Sequence, residues 1–301
     1  MAELLTHCPK PVSTGSPSRS KWDSFADLVR LRNQSGTMLL MLPTLWSLVL
    51  ASEGRPPLKL LLVFMGGSFL MRSMGVVLND LADRSFDRHV ARTCLRPLAS
   101  GAVTVNEALG LAAVLIGLVA GLVLLLNPLT ILLSPVALAL AILYPYAKRV
   151  LHVPQVVLGL AFGWGVVMAW AAVRNVVETP VWILYAATIC WVIAYDTIYA
   201  IQDREDDIRI GLKSAAIAFG ARTWLAVGLF LLAMLGLLAI LGRLTGLGLI
   251  YYAILALVGG FFLQQVKKLR GSVPAPTAFA MFKQHIWAGW LLLAGMWLGC
   301  L

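Results

Sequence analysis

The chain has few charged residues and few cysteines for its length. Charged residues make up 13% of its 301 residues, against about 25% in a typical soluble domain, while 60% are hydrophobic. The four cysteines are scattered without a CxxC pair, so neither a disulfide framework nor a zinc site is predicted. This composition excludes an ordinary soluble domain.

Apolar runs long enough to cross a bilayer, roughly 20 residues each, recur along the whole chain. We predict an all-α, polytopic membrane protein in which nine transmembrane helices surround a central cavity. The first and last runs are short, so those helices are expected to be tilted, shallow or extended at their ends. The nine predicted spans are residues 36–51, 59–78, 108–126, 128–146, 155–173, 180–200, 223–241, 247–264 and 286–301.

The beginning of the chain is polar and lacks the apolar core of a signal peptide. We expect residues 1–24 to be a cytoplasmic tail and residues 25–301 to form a single membrane domain. A mitochondrial targeting segment is the alternative, although this stretch holds few basic residues and is not obviously amphipathic.

Positive charge is distributed unevenly along the sequence, whose formal net charge is +10. With the N-terminus in the cytoplasm, the cytoplasmic segments carry 19 Lys or Arg and the opposite side carries four, while Arg72 lies inside the second span. By the positive-inside rule, this imbalance predicts an N-in/C-out topology. The basic charge therefore indicates orientation and affinity for the lipid bilayer, and nucleic acid is not an expected partner.

Acidic residues are rare and concentrated in two windows. Of the 14 acidic residues, three lie within 80–87 and five within 196–207, both on the predicted cytoplasmic side. In or directly beside each window three polar side chains recur at intervals of four or seven residues, so each set would line one face of a helix. The two sets are Asn79, Asp83 and Asp87, and Asp196, Asp203 and Asp207.

Carboxylates at this spacing repel one another and destabilise a helix, so a cation is expected to offset their charge. A single cluster of this kind could be a solvated helix end with surface ion pairs of little energy. Two clusters of matching spacing on one side favour Mg²⁺, which is usually bound by hard oxygen ligands together with a phosphate substrate. A membrane transporter, the alternative from another class, predicts acidic residues spread through the depth of the bilayer.

A short internal repeat relates the two windows. Residues 83–87 and 203–207 share the pattern D-R-x-x-D, and each is followed by a Gly-Ala step and an apolar span. Two related halves would place the acidic clusters face to face across a cavity. Such a cavity suits a Mg²⁺-bound diphosphate whose isoprenoid tail dissolves in the membrane. Departure of the diphosphate would leave an allylic cation for an electron-rich acceptor, so these residues predict a prenyl-diphosphate enzyme.

The sequence around both windows resembles the UbiA-type intramembrane prenyltransferases over roughly residues 25 to 290. NDLADRSFDRHVARTCLRPLASG is similar to the first signature of that family, N-D-x-x-D-x-x-x-D, and YDTIYAIQDREDDIRIGLKS is similar to the second. Further motifs resemble the 4-hydroxybenzoate polyprenyltransferase branch. These are PTLW (43–46), YPYAKR (144–149), PQVVLGLAFGWG (154–165) and FKQ (282–284).

The resemblance implies Mg²⁺-dependent transfer of a polyprenyl group from polyprenyl diphosphate to carbon 3 of 4-hydroxybenzoate, a step of ubiquinone biosynthesis. A sibling enzyme that uses a naphthoate, homogentisate or a tetrapyrrole as acceptor is the alternative. The expected location is the bacterial inner membrane with the active site near the cytoplasmic face, and the mitochondrial inner membrane is the alternative. The sequence leaves the prenyl chain length and the oligomeric state open.

The resemblance also implies roles for individual residues. Arg92 would contact the diphosphate, assisted by Lys148. Asp196 would lie nearest the acceptor phenol and, with Asp83 and Asp203, belong to the catalytic set. The expected ligands of the Mg²⁺–diphosphate complex are Asn79, Asp83, Asp87, Asp196, Asp203 and Asp207.

The remaining implied roles concern the hydrocarbon and the acceptor. Tyr144 and Tyr199 are expected to shield the allylic cation through their ring faces. A cation is needed to hold the carboxylate of the benzoate, and Arg30 or Arg149 is expected to supply it.

Overall fold

The computed structural model describes residues 20–88 and 93–301, except for the side chains of Lys148 and Ile210. Every regular element in these residues is a helix, as predicted, and a single 3₁₀ turn at Gly220–Arg222 precedes α11. The α-helices are α1 (Lys21–Leu28), α2 (Ser35–Ala51), α3 (Leu58–Asp87), α4 (Pro97–Ser100), α5 (Val105–Val123), α6 (Pro128–Val150), α7 (Gln155–Arg174), α8 (Thr179–Ala200), α9 (Arg204–Ile210), α10 (Ala215–Phe219), α11 (Thr223–Leu244), α12 (Leu249–Lys268) and α13 (Ala275–Gly299).

Nine helices in the described part of the chain have 17 or more residues, and each overlaps one of the nine predicted spans. Seven stretches are long and apolar enough to cross a membrane, whereas α2 is apolar but has only 17 residues and α13 is not among the seven. A polytopic helical membrane protein is therefore confirmed. The number of nine crossings and their N-in/C-out orientation remain predictions.

The last long helix begins earlier than predicted, at Ala275 rather than at residue 286. Pro276 lies in its first turn, where a proline costs no helical hydrogen bond. The polar stretch before residue 286 is also accommodated, because the buried His285 accepts a hydrogen bond at Nδ1 from the indole Nε1 of Trp191 (2.9 Å). Packing against α8 thus extends a helix that its polarity alone did not predict.

Helix α8 lies at the centre of the bundle and packs against α7, α11 and α13. In its membrane window 67% of the residues are buried, against 11% in α6. The ring centroids of Trp46 and Trp191 lie 4.8 Å apart. Gly289 leaves room for Trp191 here, since a Cβ at position 289 would stand 2.9 Å from Trp191 Cη2. Close packing of this kind holds helices together in lipid, where burial of apolar surface supplies little force between them.

Helices α5 and α6 form one side of the bundle and expose large apolar side chains, among them Leu118 and Leu132. Helix α3 lies beside them and has 30 residues. At roughly 1.5 Å per residue it is about 45 Å long, whereas the hydrocarbon layer is about 30 Å thick. Helix α3 is therefore longer than the hydrocarbon layer is thick, and Asp83 and Asp87 lie near its C-terminal end. Close by in sequence, Cys94 is buried.

Candidate active site

Both acidic clusters line a single cavity of about 120 Å³, here called the acidic cavity. Its walls come from the end of α3, the end of α8, α9 and the segment that follows α9. All six predicted Mg²⁺–diphosphate ligands lie in these walls, together with Asp206, which the sequence analysis did not single out. The acidic side chains and amide concerned are Asn79, Asp83, Asp87, Asp196, Asp203, Asp206 and Asp207.

The first cluster lies on one continuous helix, as its spacing predicts. Asn79 and Asp83 are one turn apart on α3, and Asn79 Nδ2 donates a hydrogen bond to Asp83 Oδ2 (3.2 Å). Asp87 ends the helix and lies on the same face. This arrangement presents carboxylate and amide oxygens in a row along one wall of the acidic cavity.

The second cluster does not lie on one continuous helix, so that part of the spacing prediction is wrong. Helix α8 ends at Ala200, residues 201–203 form a turn, and α9 begins at Arg204. Asp196 therefore lies in the last turns of α8 and Asp207 lies on α9. Because the turn redirects the chain around the cavity, the carboxylates of the two helices still line the same space.

A network of two arginines and two aspartates stands behind the first cluster. Arg30 forms a two-pronged contact with Asp80, with Nη2 at 3.1 and 2.8 Å from the two carboxylate oxygens. Arg96 Nη1 donates to Asp80 (3.1 Å) and to Asp87 (3.0 Å). The Asp80 side chain is only 1% exposed, so its two arginines offset a charge that would otherwise be costly. The network fixes the end of α3 against the start of α2 and the segment before α4.

A second, larger cavity of about 280 Å³ adjoins the acidic cavity and is here called the central cavity. The two cavities share six residues, which form the boundary between them. These are Asn79, Arg96, Tyr144, Asp196, Tyr199 and Asp203. The tyrosines predicted to shield a cation therefore lie where a molecule that spans both cavities would pass.

Arg72 lines the central cavity and was not assigned a role from the sequence. Among the residues that the structure describes, no carboxylate lies within salt-bridge distance of its guanidinium. Tyr144, Tyr195, Tyr199 and Arg30 line the same cavity. The guanidinium packs directly over Gly36, where a Cβ would collide with it. A cation held in this way can bind an anion that enters the cavity.

The two arginines predicted to hold the acceptor carboxylate lie in different places. Arg30 lines the central cavity, but Asp80 already neutralises its charge. Arg149 donates to the backbone oxygen of Ala82 (2.7 Å) and lies 3.9 Å from Asp83. Its guanidinium also stacks over the ring of Phe86, 5.3 Å from the centroid. Of the predicted diphosphate contacts, Arg92 lies outside the described residues, as does the side chain of Lys148.

A third cavity, of about 430 Å³, extends from the central cavity between α3, α5 and α6 and is here called the apolar cavity. It shares four residues with the central cavity: Leu40, Met71, Ala137 and Ala161. Its lining is almost entirely hydrocarbon, interrupted only by small polar residues such as Thr44 and Ser68. A long apolar chain fits this space, and charged groups do not.

The comparison with protein families agrees with this architecture. Residues 40–287 match the UbiA prenyltransferase family. The chain belongs to the UbiA prenyltransferase family. Among solved structures of similar fold is a UbiA homolog from Aeropyrum pernix K1, with a TM-score of 0.74 and 28% identity over 86% of this chain and 96% of that one. A UbiA homolog from Archaeoglobus fulgidus bound to GPP and Mg²⁺ has a TM-score of 0.65 and 18% identity over 90% and 99% of the two chains, which shows a shared fold.

Curated relatives of this prenyltransferase match it almost from end to end. The 4-hydroxybenzoate octaprenyltransferase of Serratia proteamaculans strain 568 is 47% identical over 94% of this chain and 97% of its own length. The protein of the same name from Escherichia coli strain UTI89 is 50% identical over 93% of this chain and 97% of its own length. The relationship predicted from the two signatures is thus confirmed.

Several cavity residues of the prenyltransferase escaped the sequence analysis. Arg72 was noted only as an intramembrane charge, although an ionisable residue within a span is by default a candidate for function. Arg96 and Lys213 belong to the quoted signatures but received no role. One signal could have pointed to them: each is a basic residue shortly after a D-R-x-x-D pattern. Arg96 follows Asp83 by 13 residues, and Lys213 follows Asp203 by 10 residues.

Proposed function

We propose that this prenyltransferase transfers a polyprenyl group from polyprenyl diphosphate to carbon 3 of 4-hydroxybenzoate, with Mg²⁺, in ubiquinone biosynthesis. The observation that carries the proposal is that acidic, central and apolar cavities of different chemistry adjoin one another. The acidic cavity suits a metal-bound diphosphate, the central cavity suits a small aromatic anion, and the apolar cavity suits a long hydrocarbon. The names of the relatives that are 47% and 50% identical support this choice of acceptor.

The donor set of the acidic cavity fits Mg²⁺. It consists of carboxylate oxygens and one amide, the hard ligands that this ion prefers. Among the described residues, no group of three His, Cys, Asp or Glu is placed to hold a metal by itself. Mg²⁺ keeps several waters and is commonly bound by one or two carboxylates together with substrate phosphates, so the diphosphate would complete the site. When bound, the ion would neutralise charge on the departing diphosphate. We retain Arg92 and Lys148 as further diphosphate contacts.

The boundary between the two polar cavities is where the reacting carbon would lie. As the bond from the allylic carbon to the diphosphate oxygen breaks, positive charge develops on the prenyl group. The ring faces of Tyr144 and Tyr199 can stabilise that charge and keep water from it. The ring of Tyr199 is held in place by Phe282, with centroids 4.9 Å apart at a steep angle. Water exclusion matters here because hydrolysis of the cation would waste the substrate.

In the central cavity, Arg72 is our candidate for the group that holds the acceptor carboxylate. The proposal replaces Arg30, whose charge is engaged by Asp80, and Arg149, which lies against Ala82 and Phe86. Asp196 lies at the boundary, where it can orient the phenol hydroxyl so that the carbon beside it faces the prenyl cation. The new carbon–carbon bond forms at that position, and the ring proton it displaces leaves as H⁺.

The position of the enzyme in the membrane is also part of the proposal. We place residues 1–24 in the cytoplasm, residues 25–301 in the bacterial inner membrane with the C-terminus outside, and the acidic cavity near the cytoplasmic face. A C-terminal fusion to alkaline phosphatase should then be active in bacterial cells, and a fusion to a fluorescent protein that folds only in the cytoplasm should be dark. The reverse result would overturn the orientation.

The decisive experiment measures transfer of the prenyl group in membranes that contain the protein. Octaprenyl diphosphate is supplied with radiolabelled 4-hydroxybenzoate, and in parallel with a hydroxynaphthoate or homogentisate, with and without EDTA. We expect a lipid-soluble labelled product from 4-hydroxybenzoate alone, and none in EDTA. Turnover of the naphthoate or homogentisate without turnover of 4-hydroxybenzoate would establish a sibling activity instead.

A further inference from the structure

The segment 211–214, which follows α9, folds back under the acidic cavity. Gly211 adopts a left-handed conformation (φ 73°) that reverses the chain. The backbone N–H of Leu212 then donates to Asp207 O (2.9 Å), and Gln155 Oε1 accepts a hydrogen bond from Ala215 N (3.1 Å). These contacts place two further side chains, Lys213 and Ser214, in the wall of the acidic cavity.

The hydroxyl of Ser214 is buried in that wall without a partner. The residue is 5% exposed, and its Oγ has neither solvent contact nor a hydrogen bond. An unsatisfied buried hydroxyl is costly, and each such group in a protein calls for an explanation. Because Ser214 lines the cavity, rotation of its side chain toward an acceptor oxygen of a ligand there would satisfy the hydroxyl.

The ammonium of Lys213 has an unusual partner for its surroundings. The cavity around it contains the carboxylates of both clusters, yet Lys213 Nζ donates to a backbone oxygen, that of Val150 (2.9 Å). Among the described residues it pairs with no carboxylate. An ammonium group has three donors, so the bond to Val150 leaves two for another oxygen.

A basic residue lies just before the short helix that follows each acidic cluster, and the two basic residues have different partners. In the first half Arg96 precedes the four-residue helix α4, which is followed by Gly101 with positive φ. In the second half Lys213 and Ser214 precede the five-residue helix α10, which is followed by Gly220, also with positive φ. Arg96 is committed to Asp80 and Asp87. Lys213 pairs with no carboxylate of the described residues, so the donors not bonded to Val150 can meet an anion.

From these observations we propose that Lys213 and Ser214 together bind the terminal phosphate of the diphosphate, and hold it after the prenyl group has left. This inference rests on the proposed function, since it assumes that a diphosphate occupies the acidic cavity. The chemistry fits the phosphate, because both groups donate hydrogen bonds and a phosphate oxygen accepts them. The carboxylates on the other walls would meet the same ligand through Mg²⁺.

The test measures binding of inorganic pyrophosphate with Mg²⁺ to the full-length protein in lipid nanodiscs by calorimetry, without acceptor or turnover. We compare Lys213→Gln, Ser214→Ala and the control Lys268→Gln, which removes an exposed lysine outside the three cavities. The dissociation constant should rise about tenfold or more for Lys213→Gln and about fivefold for Ser214→Ala, the usual range for charged and neutral hydrogen bonds. The control should bind like the natural protein, and Lys213→Arg should retain most of the affinity.

The melting temperature without ligand separates binding from folding. Ser214→Ala removes a hydroxyl that has no partner, so the ligand-free melting temperature should not fall, and only the increase caused by pyrophosphate should shrink. A lower ligand-free melting temperature with unchanged affinity would overturn the role of Ser214. If the natural protein binds pyrophosphate and both cavity variants bind it equally well, the inference fails while the proposed function stands. If the natural protein binds none, the proposed function itself fails.

Discussion

Arg96 Nη1 lies 3.0 Å from Asp87 Oδ2 and 3.1 Å from Asp80 Oδ1, so that one nitrogen joins two carboxylates of the same helix. Asp80 and Asp87 are seven residues apart and lie on one face of α3. Without a cation between them they would repel each other. Arg96 therefore allows α3 to carry its acidic face to the wall of the acidic cavity without unwinding.

Replacement of Arg96 by Met should destabilise the protein through this network. It removes the shared cation of Asp80 and Asp87, and loss of one partner of a buried pair costs about 3–5 kcal/mol. Because the Arg96 side chain is itself 21% exposed, we expect the lower part of that range or slightly less. Thermal unfolding in detergent measures the change. Arg32→Gln is the matched control, since Arg32 forms exposed ion pairs with Asp23 and Asp27 and should change stability by less than about 1 kcal/mol.

Removal of one carboxylate from either cluster should stop prenyl transfer while the protein remains folded. Asp83 and Asp203 lie on different elements but line the same cavity. We expect Asp83→Ala and Asp203→Ala each to lower the rate by about 100-fold or more, the usual loss when a group that stabilises transition-state charge is deleted. Membrane assays with radiolabelled acceptor measure the rate. Asp27→Ala, outside both polar cavities, should retain activity, and a fully active Asp203→Ala would contradict the shared metal site.

The sequence sufficed to predict α3 and its acidic face, because Asn79, Asp83 and Asp87 repeat every four residues at the end of a long apolar run. It did not suffice for the second cluster. The stretch from Asp196 to Asp207 contains neither Gly nor Pro, so no helix-breaking residue predicts the turn at residues 201–203. Spacing predicts a shared helix face only while the helix continues.

The roles of the arginines could not be read from local sequence either. Arg30 and Asp80 are 50 residues apart, and only the packing of the segment before α2 against α3 brings them together. That contact neutralises Arg30, whereas Arg72 in the central cavity pairs with no carboxylate of the described residues. Which arginine meets a ligand is thus decided by which arginine the fold has already paired.

Arg72 should determine the preference for an acceptor that carries a carboxylate. If its guanidinium holds that group, Arg72→Met should raise the KM for 4-hydroxybenzoate by about 10- to 100-fold, the equivalent of a hydrogen bond to a charged group. The KM for the prenyl diphosphate should change little. Steady-state kinetics with methyl 4-hydroxybenzoate supply the control, because an ester lacks the negative charge and should lose little between the natural protein and the variant. Equal losses with acid and ester would show that Arg72 acts only through the shape of the cavity.

A substitution at Gly36 tests the position of the Arg72 guanidinium without a change of charge. A methyl group at residue 36 would collide with the Arg72 guanidinium, so Gly36→Ala should displace it and raise the KM for 4-hydroxybenzoate in the same direction. Gly110→Ala is the matched control, because a Cβ there meets nothing within 4 Å. The same kinetic assay measures both variants. An unchanged KM for Gly36→Ala would mean that the guanidinium need not lie over residue 36 to bind the acceptor.

The apolar cavity should set how well long prenyl chains are used. Gly67 lies in its wall on α3, and a Cβ at this position meets nothing within 4 Å, so a larger side chain is free to enter the cavity. Gly67→Phe should therefore raise the KM for octaprenyl diphosphate severalfold, while geranyl diphosphate, whose short tail need not reach the cavity, should be used as before. Gly117→Phe on α5 is the matched control, since Gly117 is exposed on the outside of the bundle. If Gly67→Phe raised the KM for both donors equally, the tail would have to leave the central cavity by another path, and the apolar cavity between α3, α5 and α6 would lose its assigned function.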